Sequence, residues 1–432
     1  MTDQQINNYA RRLLVELFVQ LGEKHAWFHD EEYRTVVDLA NKLEAEIERG
    51  IALLDAGKEL PADMWPLVKL RVVDRFLNEN SGFQPTGVLA QVTLDGKRRF
   101  QVYRRPVGPR RSSVERQISG HLRAWVKHHW VIPETFLDYS VEIVRPPQFL
   151  ITKLEALRGR REPLRVAIYH FEDGVEIVWH EHLLPHWQAV DLKAPETRWS
   201  RVERLLERAL QAQVHVLVLP ELTITPDLRR RIQGWLKKNL SRHSLLLVLP
   251  GSFHEPDPAQ QGKAFNRTQL LDSAGQVVME HTKLTRFSQG GAFESILTGS
   301  RIRLLPLPIG LMATPICLDF CQSAHPIREL WKVLGPEWLL VPAYGNQSSV
   351  NAHRAAAKDL RTSHGSRTVL ANQHRQGEQS APGFIGDPSS ESLALSPEEQ
   401  TAEQADAFQV ESLWIWSDET SGGNKSGPGL VN

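Results

Sequence analysis

His215-Val216-Leu217-Val218-Leu219-Pro220-Glu221 is a short apolar run closed by a proline and a carboxylate. A run of this length, rich in Val and Leu and bounded by a turn residue, reads as a strand buried on both faces. Upstream of it, Arg198–Ala212 has helical spacing; downstream, Pro226–Leu240 reads as a second helix and Ser244–Leu249 as the next strand. Further apolar runs follow at Thr268–Asp272, Ile309–Ala313, Trp338–Val341 and Thr368–Ala371, and one precedes at Arg165–Tyr169. Strands alternating with helices predict an α/β fold. In open α/β sheets ligands bind at the C-terminal edge of the strands, and Glu221 is placed there.

The first third of the chain has a different pattern. Apolar residues recur at helical spacing in Tyr9–Leu21, Glu31–Leu54 and Trp65–Leu77, which predicts a small bundle. Val88–Leu94 and Arg98–Tyr103 alternate around Asp95-Gly96, a hairpin signal near residues 88–103. Arg104–Ser113 reads as a loop and Val114–His128 as a helix. The charged stretch 151–164 is taken as the linker, giving a mainly helical N-terminal domain over residues 1–155 and a second domain over 163–417. Phe408–Trp416 is read as one last strand within an acidic tail, and residues 418–432 are expected to be disordered.

The chain has 432 residues, 41% of them hydrophobic, with a formal net charge of zero. Bulk charge therefore points to neither nucleic acid nor a membrane surface as partner. The two cysteines, Cys317 and Cys321, make no disulfide framework and fit a reducing, cytoplasmic setting. No apolar run approaches the roughly 20 residues of a membrane span, and the first residues carry no apolar secretory segment.

Three residues lie at or just after strands. Cys317 sits in Ala313-Thr314-Pro315-Ile316-Cys317-Leu318-Asp319-Phe320, where a thiol at a strand-to-turn junction could serve as a nucleophile near backbone N–H groups. Glu221 is the second, and Lys283, in His281-Thr282-Lys283-Leu284, the third. Taken singly, each has a plain structural explanation: a buried cysteine, a helix-capping glutamate, a solvated lysine. Their order and their strand-end positions are what raise them together. His180, His182 and His186 could converge on a metal, but no carboxylate or cysteine pattern completes a site, and a surface loop is the preferred reading. Residues 97–123 hold nine basic side chains against the single acid Glu115, with Phe100 and Tyr103 between them. That cluster fits a phosphate contact or, preferably, a solvated hairpin or a face that docks the acidic tail.

With these flanks the chain resembles the nitrilase (carbon–nitrogen hydrolase) superfamily over residues 163–390. Pro163–Tyr169 is similar to the family's opening strand, and Arg201–Glu221 to the helix and strand that lead to its glutamate. Phe265-Asn266-Arg267-Thr268 and Leu271–Val278 resemble the hairpin before its lysine, and Phe293-Glu294-Ser295 the segment with its second glutamate. The resemblance implies a four-layer α-β-β-α sandwich. It also implies cysteine-dependent hydrolysis of a small amide or carbamoyl-type substrate through a thioester. Glu221 would be the general base, Cys317 the nucleophile, Lys283 the oxyanion partner and Glu294 the residue that orients it. Leu318 and Asp319 would line the substrate pocket. No metal or organic cofactor is implied; a homodimer or larger assembly is. Asp319 in Cys317-Leu318-Asp319 favours the amidase-like branch over true nitrilases, which more often carry Cys-Trp-Glu. The chain departs from the family at Leu318, where an aromatic is usual, at Pro315, at Cys321-Gln322-Ser323, and at Leu360-Arg361-Thr362-Ser363. These changes put the substrate in doubt. A second reading is a regulatory or defence-type module on the same scaffold, its basic N-terminal region contacting nucleic acid; the presence of every triad member favours the enzyme.

Overall fold

The run that ends at Glu221 folds as strand Val216–Val218, fully buried, in the middle of a mixed α/β architecture. The structure, a computed structural model, describes residues 1–22, 43–80, 88–105, 126–160, 162–171, 176–180, 186–242, 244–260, 262–289, 291–322, 327–374, 380–381, 383–386, 413–418 and 429–431. Among them no helix is long and apolar enough to cross a membrane. Val216–Val218 pairs in parallel with Leu164–Tyr169 on one side and Leu247–Leu249 on the other. Antiparallel strands Ala264–Asp272, Ser252–Pro256 and Val277–Thr282 extend this first sheet at one edge. Gly251 makes the turn between Leu247–Leu249 and Ser252–Pro256. Its φ is +69° and a Cβ there would stand 2.0 Å from the Pro220 carbonyl oxygen, so only glycine lets the two strand ends approach this closely.

A second sheet runs in the order Gly383–Gly386, Arg367–Gln373, Trp338–Tyr344, Gly310–Ala313, Arg301–Leu307, Tyr139–Ile143, Thr135–Phe136. Side chains of both sheets meet in one apolar cluster, with Val166, Val218 and Leu249 from the first and Leu305, Met312 and Val369 from the second. Helices Pro195–Gln211 and Pro226–Lys238 cover the other face of the first sheet through Leu205, Leu206, Leu228 and Ile232. Both helices start on proline, and Thr225 caps the second by accepting from Leu228 N. Ile327–Leu334 and Gln347–His364 cover the other face of the second sheet through Leu330, Trp331, Val350 and Leu360. Asn346 caps Gln347–His364 and Gly365, at φ 67°, ends it.

The N-terminal helices Asp3–Gly22, Glu44–Asp55 and Pro66–Asn80 share a core with the three-stranded sheet Val88–Leu94, Arg98–Arg104, His129–Pro133. The hairpin turn is at Asp95 and Gly96, both at positive φ, as the sequence predicts. The other face of this sheet, through Tyr103, Trp130 and Ile132, joins the core of the second sheet.

The structure moves two boundaries. Stretch 151–164, read as a linker, is mostly helix Gln148–Arg160; Leu150, Ile151, Leu154 and Leu157 form a buried stripe at helical spacing, and the charges lie on the outer side. Tyr139–Ile143, placed with the N-terminal domain, pairs in parallel with Arg301–Leu307. The last strand is present as Leu413–Asp418, antiparallel to Leu164–Tyr169. Gly429–Val431, in the segment expected to be disordered, pairs with Leu413–Ile415 and occupies an otherwise open sheet edge. The expected helix at 114–128 lies almost wholly outside the described residues, as do Arg110, Arg111, Arg116, Arg123, His182 and most of the acidic tail.

Candidate active site

Lys283 and Glu294 come directly after strands, Glu221 and Cys317 a few residues beyond theirs, and the structure brings the four into one buried cluster. Their exposures are 2%, 2%, 1% and 6%. Lys283 Nζ donates to Glu221 Oε1 at 2.9 Å and to Glu294 Oε2 at 2.9 Å. Asn266 Nδ2 donates to the same two carboxylates, at 2.8 Å and 3.0 Å. Burial alone would lower the ammonium's pKa, but the carboxylates of Glu221 and Glu294 outweigh it and hold Lys283 well above its ordinary value. Burial would likewise raise Glu294; Lys283 and His254 pull it far below the usual carboxylate range. The cluster therefore holds a fixed ammonium between carboxylates in a site almost closed to water, where electrostatic effects are strongest.

One strand of the second sheet sets the spacing between thiol and carboxylate. The Pro342 carbonyl accepts from Cys317 N at 2.9 Å, and the next carbonyl, Ala343, accepts from Glu221 N at 3.3 Å. The Tyr344 amide then donates to the Cys317 sulfur, and the thiol lies within hydrogen-bonding reach of Glu221. Burial raises the thiol's pKa and Glu221 raises it further, against smaller opposing effects of Lys283 and the Tyr344 amide, so the sulfur rests protonated. Cys317 itself is at φ 44°, ψ −107°, a conformation that side chains other than glycine rarely adopt. His353, fully buried in helix Gln347–His364, meets the Ser349 carbonyl at Nδ1 (2.7 Å) and the Cys317 carbonyl at Nε2 (3.1 Å). Both partners are acceptors, so both ring nitrogens donate, which only the imidazolium does. Burial opposes that charge, but Cys321 and the two carbonyls raise the ring's pKa. His353 thus clamps the strained turn that carries the sulfur.

Asp319 has a different place from the one expected. Its carboxylate is 0% exposed and accepts from Leu284 N, Thr285 N, Thr285 Oγ1 and His281 Nε2 at 2.7–3.1 Å. With its oxygens so engaged it holds the chain after Lys283 against the turn after Cys317, and does not present itself to a substrate. Leu318, between the two, is half-buried.

Four residues of the site were not singled out from the sequence: His254, Asn266, His281 and His353. His254 accepts from Ala189 N at Nδ1 (2.8 Å) and donates from Nε2 to Glu294 (2.9 Å), so its ring orientation is fixed from both sides. Asn266 had a signal: in Ala264–Asp272 it shares the inward face with Ala264 and Thr268, an amide where alternation asks for an apolar side chain. The histidines had none, because a buried ring on a strand or helix reads as ordinary core. Among the described residues no group of three or more His, Cys, Asp or Glu side chains could hold a metal ion. His186, one of the three histidines raised above, packs its ring against Phe293 at 5.6 Å.

No protein-family model matches the sequence, and no curated protein does. Solved structures do align with it. An amidase from Nesterenkonia sp. is 15% identical, covering 60% of this chain and 92% of that one, with a TM-score of 0.42. A mutant of the amidase from Nesterenkonia sp. AN1, with its cysteine replaced by alanine and butyramide bound, is 14% identical over 60% and 92%, with a TM-score of 0.43. Likeness at this level leaves the fold and the site to be argued from this chain's own geometry.

Proposed function

We propose that this chain is an amidase-like member of the nitrilase superfamily, its part from residue 163 onward a four-layer α-β-β-α sandwich. It hydrolyses a small non-peptide amide or carbamoyl-type C–N bond. One observation carries this reading: a buried ammonium shared at 2.9 Å by Glu221 and Glu294, with a thiol against the same Glu221. A structural ion pair needs no nucleophile, and a buried structural cysteine needs no general base.

The steps follow from the resting charges. Lys283 and Asn266 both donate to Glu221 Oε1, which leaves Oε2 for the thiol. Glu221 takes the Cys317 proton as sulfur attacks the carbonyl carbon, so no thiolate need exist beforehand. Lys283 faces the oxyanion, and its charge, already secured by two carboxylates, adds no reorganisation. Glu221 then gives the proton to the departing nitrogen, and the C–N bond breaks to leave a thioester and free amine or ammonia. Water, deprotonated by Glu221, attacks the thioester; the acid leaves and the proton returns to sulfur. Glu294 holds Lys283 in place throughout.

The test is turnover of a panel of short-chain amides, N-carbamoyl compounds and nitriles by wild type and Cys317→Ala, with intact-mass spectrometry of the quenched protein. Wild type should turn over at least one amide and carry a matching acyl mass; the variant should show neither. Unchanged turnover in the variant overturns the reading.

A further inference from the structure

Strand Val216–Val218 leads to Glu221 at one end and begins after His215 at the other, ~20 Å away at about 3.3 Å per residue. At the His215 end a cavity of about 690 Å³ opens between helix Gln148–Arg160 and the start of the first sheet. Ligand sites commonly span roughly 300–1,000 Å³. Lys153, Arg160, Arg165 and His215 line it together with Phe149 and Leu240.

His215 gives the cavity its direction. The residue is 9% exposed, and its Nδ1 accepts from Arg165 N at 3.0 Å. Nδ1 is therefore the bare nitrogen and Nε2 carries the ring proton. Burial, with Arg165 nearby, pushes the ring's pKa down to about 4, so the ring is neutral at ordinary pH. No partner for Nε2–H is found among the described residues. It is a donor fixed in tautomer and left open at a cavity wall.

The surrounding charge and surface complete the picture. Glu162 pairs with Arg160 at 2.9 Å, and the Arg165 guanidinium rests on the Ala212 carbonyl and Gln213, but Lys153 has no ion-pair partner among the described residues. The lining is net positive. Phe149 and Leu240, 41% and 48% exposed, are two of the few large apolar side chains left open in the described chain, and both face this one cavity. An open N–H donor and an unpaired ammonium call for an anionic acceptor; the exposed rings and methyls call for an apolar body. We propose that this cavity binds an amphipathic anion, its carboxylate or phosphate head held by Lys153 and His215 Nε2–H and its apolar body lying on Phe149 and Leu240.

The test is calorimetric titration of the full chain with octanoate, octyl phosphate and, as neutral control, octanol. Saturable binding of either anion, with octanol weaker by about tenfold or more, supports the proposal, and the tighter of the two anions identifies the head group. Lys153→Glu and Leu240→Glu, both at exposed positions, should each weaken the anion by about tenfold; His215→Gln should do the same where it folds. Cys317→Ala should bind as wild type does, so this result stands or falls apart from the amidase reading. Absence of saturable anion binding, equal binding of octanol, or affinities unmoved by Lys153→Glu and Leu240→Glu overturn it.

Discussion

Of the three buried acid–histidine pairs among the described residues, two lie in different parts of this molecule. Asp74 meets His129 Nδ1 at 2.8 Å in the N-terminal part, and Glu294 meets His254 Nε2 at 2.9 Å in the candidate site. Each carboxylate is 1% exposed. The difference lies in what else they hold. Asp74 accepts from the backbone of Lys127 (2.7 Å) and His128 (3.0 Å), tying helix Pro66–Asn80 to the chain entering strand His129–Pro133. Glu294 accepts from an ammonium that a second carboxylate shares, with a thiol one contact further on. A carboxylate–imidazole pair is thus a knot or a site according to its third partner, and an ammonium held beside sulfur is what turns one into the other.

The widest way to test that contrast is at the sulfur and the ammonium. Cys317→Ala should lower kcat by at least ~10⁴-fold with the fold kept, as loss of a nucleophile does elsewhere. Lys283→Met should also abolish turnover and, by stranding two carboxylates in the interior, lower stability by about 3–5 kcal/mol, read by denaturant melts. Glu294→Gln keeps the shape and removes a charge; kcat should fall by about 10²-fold with KM little changed. Asp74→Asn should do the reverse, costing about 2 kcal/mol of stability while kcat/KM per folded molecule stays level. A fall in kcat without a fall in Tm would make the two pairs the same kind of object and end the comparison.

Acid sharpens it further. Burial would raise Asp74, but His129 and its neighbours hold it below its ordinary 3.8, so its stabilisation is present above that pH and is lost on acidifying below it. His215 works through the opposite charge: its ring is lowered from 6.5 to about 4, so stability is full above pH 6.5 and falls on acidification toward pH 4. The slope should be at most about 1.4 kcal/mol per pH unit, and His215→Gln should flatten it in thermal melts.

Much of this was legible in the sequence, for local reasons. Glu221, Lys283 and Cys317 could be found because each lies at or just after an apparent strand, in the order the nitrilase resemblance asks for; Glu294 was reached only through that resemblance. The pairing of Tyr139–Ile143 with Arg301–Leu307 could not, because parallel strands some 160 residues apart leave no shared local signal. Helix Gln148–Arg160 was hidden by its charged outer side, although Leu150, Leu154 and Leu157 already carried the stripe. Asp319 stands two residues after Cys317, which suggests a place in the proposed substrate pocket. Nearness to Cys317 in the chain says nothing of which way a side chain points, and this one turns to the chain after Lys283. His353 reaches the Cys317 carbonyl only through the tertiary fold.

The backbone of Cys317 has a consequence for anyone disabling the protein for study. At φ 44° and ψ −107° the chain adopts a shape suited to an achiral residue. Elsewhere a glycine replacement loosens a protein more than an alanine replacement does. Here the ranking should invert, with Cys317→Gly melting later than Cys317→Ala by about 1 kcal/mol in side-by-side calorimetry. The Cys317 sulfur would then be held where it is by a fold that would rest more easily without it.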